Sequence, residues 1–176
     1  MFYKILEKLE KDNLLDWGII LQAWKKGLPG YQYKLKADYI QKFALQEMEK
    51  MSEDIPDILV ELFDAGTLEN LKVTDLLEDI CEKEKINEEI SLKKWRLAAL
   101  EETLSDLSGY CVDDLIYLDD FWLAWGNPQD KPHIIQGIDN QMNPTQHYSE
   151  NNYEKLLQAH KKWIEQEKKK ILNGDY

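Results

Sequence analysis

Apolar residues recur at spacings of three and four along most of the chain, which predicts a mainly α-helical protein. Residues 2 to 11 open one helix. Asp16 is placed to cap a second that carries Trp17, Ile20, Leu21 and Trp24 and stops at Gly27 and the Pro29-Gly30 turn. Lys36 to Met51 sets Tyr39, Ile40, Phe43, Ala44 and Met48 on one stripe. Ile55 to Ala65 follows, with Pro56 suited to a first turn and Gly66 to a left-handed cap. Thr74 is the expected N-cap of a helix from Asp75 to Lys85, and Asn87 or Ser91 that of the next. That helix carries Leu92, Trp95, Ala99, Leu100, Leu104 and Leu107 until Ser108-Gly109. Tyr110 to Gly126 fits a short helix, a strand or a structured loop, because its apolar run is too brief for periodicity to decide. Residues 127 to 148, with Pro128, Pro132, Gly137 and Pro144, read as a long connection in which His133 to Gln136 suits a short strand. A closing helix from Asn151 to Leu172 puts Tyr153, Leu156, Leu157, His160, Trp163, Ile164 and Ile171 on one side. The expected architecture is one helical domain over residues 1–176, about six to eight helices packed as antiparallel hairpins, with room for one short β element near residues 110–140.

Composition removes several classes. With 43% hydrophobic and 11% aromatic residues the chain is not of the kind that stays unfolded, and two cysteines make no disulfide framework. Met1 to Lys11 alternates charge among its apolar residues and lacks a secretion signal, and no uncharged run approaches the roughly 18 residues a membrane span needs. A cytoplasmic location is therefore expected, with Cys81 and Cys111 as reduced thiols. Ile55-Pro-Asp-Ile-Leu and Val73-Thr-Asp-Leu-Leu match at an offset of 18 residues, as two stacked repeats would, or two amphipathic helices of similar composition.

Charge changes the picture more. Thirty-four acids against 22 bases leave a net charge of −12, which disfavours nucleic acid and favours a cationic protein partner. The bases include a single arginine, Arg96. Residues 53 to 89 hold thirteen acids, among them Glu53, Asp57, Glu61, Asp64, Asp75, Glu78, Asp79 and Glu82, against three lysines. Residues 101 to 120 add seven acids and no base. Each acid singly reads as a solvated helix face; their clustering suggests a surface.

Candidate chemistry is sparse. Asp113-Asp114 and Asp119-Asp120 could offer oxygens to a divalent cation, but their spacing matches no calcium loop. His133, His147 and His160 stand 14 and 13 residues apart without a local ligand frame, and a Cys111–histidine pair could form only through the fold. No Gly-rich phosphate loop, nucleophile elbow or CxxC occurs, so no enzyme activity, metal or cofactor is expected. Phe121, Trp122 and Trp125 lie just beyond the acids; core packing is the expected role of most of these aromatics, with Trp122 or Trp125 the candidate for an aromatic anchor inside an acidic rim.

Leu15-Asp16-Trp17-Gly18 through Ala23-Trp24-Lys25-Lys26-Gly27-Leu28, with Ile116-Tyr117-Leu118-Asp119-Asp120-Phe121, resembles a family of small uncharacterised bacterial proteins. In charge, size and helical style the chain is also similar to immunity proteins of contact-dependent or polymorphic toxin systems. That resemblance implies a protein that occludes a cationic toxin domain, and it brings no active-site residues with it. The expected contact set is Asp57, Glu61, Asp64, Asp75, Glu78, Asp79, Glu82, Asp113, Asp114, Asp119, Asp120, Trp122 and Trp125. Two competing expectations are a helical-repeat scaffold without catalysis and a metal-assisted enzyme built on the paired aspartates.

Overall fold

The computed structural model describes residues 1–31, 33–52, 54–138 and 140–174. Among them are nine α-helices and one 3-10 turn, with no strand. The helices are α1 (Phe2–Lys11), α2 (Trp17–Lys25), α3 (Ala37–Glu49), α4 (Asp57–Phe63), α5 (Asn70–Lys83), α6 (Glu88–Ser105), α7 (Cys111–Ala124), α8 (Pro144–His147) and α9 (Glu150–Asn173). The chain gathers into two compact units whose boundary falls inside α6: Phe2–Trp95, and Arg96 onward with Met1.

In the N-terminal unit the apolar stripes meet as their periodicity requires. Ile5, Leu6 and Leu9 of α1, Ile19 and Ile20 of α2, Ile40 of α3, Leu62 of α4 and Leu77 of α5 have no exposed surface. Trp17 packs edge-on against Phe43, ring centroids 4.6 Å apart, and Trp95 packs against Phe2 and Tyr31. Asp16 caps α2 as expected: its Oδ1 accepts from the Ile19 N–H at 2.9 Å, and its Oδ2 pairs with Lys94 at 2.7 Å. Asn87 caps α6, accepting from the Glu89 and Ile90 amides.

Two expected helix ends are corrected. α5 begins at Asn70, not after Thr74; the Thr74 hydroxyl donates back to the Asn70 carbonyl at 2.9 Å and accepts from Trp24 Nε1 at 3.1 Å. Its polar group ties α5 to α2 from inside the helix. Gly66 is not a left-handed cap, since it lies within the 3-10 turn Ala65–Thr67 and is absent from the positive-φ residues. The side chain of Gln41 caps α4 instead, donating to the Phe63 carbonyl at 2.8 Å, and a Cβ on Gly66 would come 3.1 Å from Gln41 Oε1.

Gly18 is needed for a different reason. A Cβ there would meet Ser91 Oγ at 2.4 Å and Ile86 Cγ2 at 2.7 Å. Alanine would gain up to about 1 kcal/mol of helix propensity, but Ser91 is fully buried and its hydroxyl is already engaged by the Asn87 carbonyl. Gly18→Ala is therefore expected to cost a net ~1–2 kcal/mol, as overpacked cores do, and urea unfolding would measure it.

The C-terminal unit resolves the segment whose periodicity was ambiguous: Cys111–Ala124 is helix α7. Asp114 explains where it starts. Its carboxylate accepts from the amides of Ser108 and Gly109 and from the hydroxyls of Ser108 and Tyr153, the last at 2.6 Å. Residues 133–136, where a short strand was expected, form no ladder, and the Asn140 side chain donates to the Ile135 carbonyl instead. The connection also contains α8, capped by Asn143. Ser149 caps α9, and Gly174 at φ 70° ends it in the left-handed form that glycine tolerates.

Candidate interaction surface

The expected contact residues divide sharply by location. Asp57, Glu61 and Asp64 of α4 and its end, and Asp75, Glu78, Asp79 and Glu82 of α5, are all exposed. Asp57, Glu61 and Asp64 stand four and seven residues apart and share one face of α4; Asp75, Glu78, Asp79 and Glu82 form a similar ridge on α5. The two helices are in contact, and Glu61 pairs with Lys72 across them at 3.0 Å. Glu78 pairs with Lys25 of α2. Asp57, Asp64, Asp75, Asp79 and Glu82 have no ion-pair partner among the described residues, and Glu53 lies outside those residues. Apolar side chains interrupt this acidic surface, with Val60 48% and Leu71 71% exposed.

Asp113 and Asp120 are exposed on α7, in the other unit. Asp114, Asp119 and Trp122 are corrections: each is buried, because an internal partner satisfies its polar group, and none presents a side chain to a docking protein. Trp125 is half-buried over Arg96 and does not stand out as an anchor. The four aspartates of α7 therefore do not converge, and no group of histidine, cysteine, aspartate and glutamate among the described residues has a metal-holding arrangement.

Asp119 instead joins a buried polar network with the histidines. His133 Nε2 lies 2.8 Å from Asp119 Oδ1, and His147 Nε2 lies 3.6 Å from Oδ2. Trp122 Nε1 donates to His160 Nε2 at 3.0 Å, which leaves His160 Nδ1–H to donate to the Leu156 carbonyl at 2.6 Å. The rings of His133 and His160 are 5.2 Å apart. All three histidines of the chain thus meet around α7, although nothing in their spacing announces it. Burial lowers the pKa of His147, Asp119 opposing and His133 reinforcing the shift. Burial, reinforced by His133, pushes His160 down to about 4, against the Leu156 carbonyl.

Arg96 is equally internal. Its guanidinium meets Asp130 through two hydrogen bonds, 3.2 and 2.5 Å, and sits 5.2 Å from the Trp163 ring centre, with Trp122 and Trp125 on other sides. Two neighbouring bases of α6 are thus held internally, Lys94 by Asp16 and Arg96 by Asp130. Neither thiol is poised as a nucleophile: burial pushes Cys81 up to about 12 and raises Cys111, whose sulfur donates to the Tyr148 carbonyl rather than to a histidine.

The described residues thus make an all-helical protein with an acidic, partly apolar surface on α4 and α5 and a buried polar cluster around α7. The chain belongs to the bacterial family described as "uncharacterized protein conserved in bacteria", DUF2247, which matches residues 6–168. Neither a curated protein nor a solved structure matches it. No helix among the described residues is long and apolar enough to cross a membrane.

Proposed function

We propose that the protein is a non-catalytic inhibitor of the immunity type, which binds a cationic bacterial toxin domain through the acidic surface of α4 and α5 and occludes it. The observation that carries this reading is the set of exposed carboxylates at Asp57, Asp64, Asp75, Asp79 and Glu82, which have no ion-pair partner among the described residues. Unneutralised like charges held together cost the folded state some stability, and a cationic partner would relieve that cost. Long-range attraction would raise the association rate, with desolvated contacts holding the complex. Asp113 and Asp120, on the other unit, are not needed for this surface. The scaffold reading has less support, because the two matching segments fall in different places: Ile55 to Leu59 straddles the start of α4, whereas Val73 to Leu77 lies inside α5.

The test is functional. The tagged chain is used to purify its bound protein from the native bacterium at low salt, and that protein is then expressed alone and with the chain. A basic protein that arrests growth by itself is expected to be neutralised by the wild type and not by Asp75→Asn/Asp79→Asn/Glu82→Gln. Binding is expected to fall steeply as salt rises beyond about 0.15 M, where screening shortens to about 8 Å. Rescue that survives the triple substitution would sink the proposal.

A further inference from the structure

The acidic surface is not uniformly polar, and its apolar residues lie in register with its acids. On α4, Val60 shares a face with Asp57, Glu61 and Asp64; on α5, Leu71 shares one with Asp75, Glu78 and Glu82. The Glu61–Lys72 pair fastens the two helices together beside both. Val60 and Leu71 are 48% and 71% exposed, although other apolar positions of the same helices, Leu59, Leu62, Val73 and Leu77, are sealed in the core. Their exposure is thus not forced by a helix that is apolar all round.

Resting on the inhibitor reading above, we infer that the α4–α5 surface receives a cationic amphipathic helix of the partner, with Val60 and Leu71 covered by its apolar stripe and the carboxylates facing its lysines or arginines. Charge selects this occupant. A second copy of the chain would bring carboxylates against carboxylates, and nucleic acid or an anionic bilayer would be repelled by the same field. A purely hydrophilic cation would satisfy the acids and leave both apolar side chains in water. An amphipathic basic helix meets both demands with one spacing, because apolar residues at i, i+3, i+4 and i+7 leave cations along the flanks.

The probe is a synthetic peptide of about 18 residues with leucine on one helical stripe and lysine elsewhere, compared with a lysine–serine peptide of equal charge. Calorimetry at low salt is expected to show the leucine peptide binding at least tenfold more tightly. Val60→Ser/Leu71→Ser, both at exposed positions, is expected to remove that advantage and leave the lysine–serine peptide unaffected. Asp75→Asn/Asp79→Asn/Glu82→Gln is expected to weaken both peptides. Asp113→Asn/Asp120→Asn/Glu154→Gln, which removes as many charges elsewhere, is expected to weaken neither. If the serine variant keeps the advantage while the α5 charge variant loses both peptides, the amphipathic occupant is wrong and the acidic surface stands. If the two charge variants behave alike, the surface itself is not a site and both readings fall. Self-association of the wild type at low salt by sedimentation would make a second copy the occupant and overturn the inference.

Discussion

Trp122→Ala is expected to destabilise the C-terminal unit by about 5 kcal/mol, enough to unfold a domain of ordinary stability. The side chain has no exposed surface, so its removal leaves a cavity that costs about 3–5 kcal/mol. It also supplies the N–H that His160 Nε2 accepts at 3.0 Å, and an orphaned buried acceptor adds about 1 kcal/mol more. Its ring is packed edge-on against Trp163, 5.7 Å between centres, and forms one wall around the Arg96 guanidinium. Trp122→Phe should recover the cavity term only in part and should not recover the hydrogen bond, so it falls between. Chemical denaturation followed by near-ultraviolet circular dichroism gives the ordering wild type, Phe, Ala. A soluble, fully folded alanine variant with wild-type stability would show that the ring is not where the structure puts it.

Trp122 also shows what the sequence could and could not convey. Its neighbours Asp119, Asp120, Phe121 and Trp125 make the segment look like an anchor within an acidic rim, but a helix of fourteen residues turns alternate sides to core and water. Once Cys111–Ala124 is a helix, Asp114, Leu115, Leu118, Asp119 and Trp122 fall on one side and Asp113 and Asp120 on the other. The periodicity of a short apolar run could not decide this, because two carboxylates on the inner face break the apolar stripe. Those carboxylates are tolerated inside only because residues far along the chain, Tyr153 for Asp114 and His133 for Asp119, reach them. The histidine network was illegible for the same reason: its contacts span 14 and 38 residues and leave no local motif. Helices α1, α2, α3 and α9 were legible because their stripes, and the cap at Asp16, are local. The start of α5 was misplaced by five residues because Thr74, a residue suited to a cap, is used to hold Trp24. α6 is a further case: Trp95 to Leu100 are all buried, the arginine included, so a one-sided stripe understates how enclosed the helix is.

The buried histidines make a second strong prediction, that the C-terminal unit loses about 3 kcal/mol of stability between pH 6.5 and 4. Burial, reinforced by His133, pushes His160 from 6.5 to about 4, and a gap of that size corresponds to about 3 kcal/mol. A base held below its ordinary value takes up its proton less readily folded than unfolded. Its contribution is therefore complete above 6.5, declines as pH falls through the window, and is exhausted near 4. His147 acts in the same direction, since burial lowers it too against the opposing pull of Asp119. Asp114 acts in a different window. Burial pushes its carboxyl up, but the hydrogen bonds from Tyr153, Ser108 and Gly109 outweigh that and hold it below 3.8, so its contribution persists above 3.8 and is lost only at lower pH. Two acid phases should then be separable. His160→Gln keeps an acceptor for the Trp122 N–H and removes the titrating ring; it should lower stability at pH 7 yet flatten its decline between 6.5 and 4. Tyr153→Phe should leave that decline intact and shift only the phase below it, because it removes a donor to Asp114 and touches no histidine. Urea titrations at half-unit pH intervals measure both slopes, and a His160→Gln protein with the wild-type slope would show that burial does not hold His160 neutral.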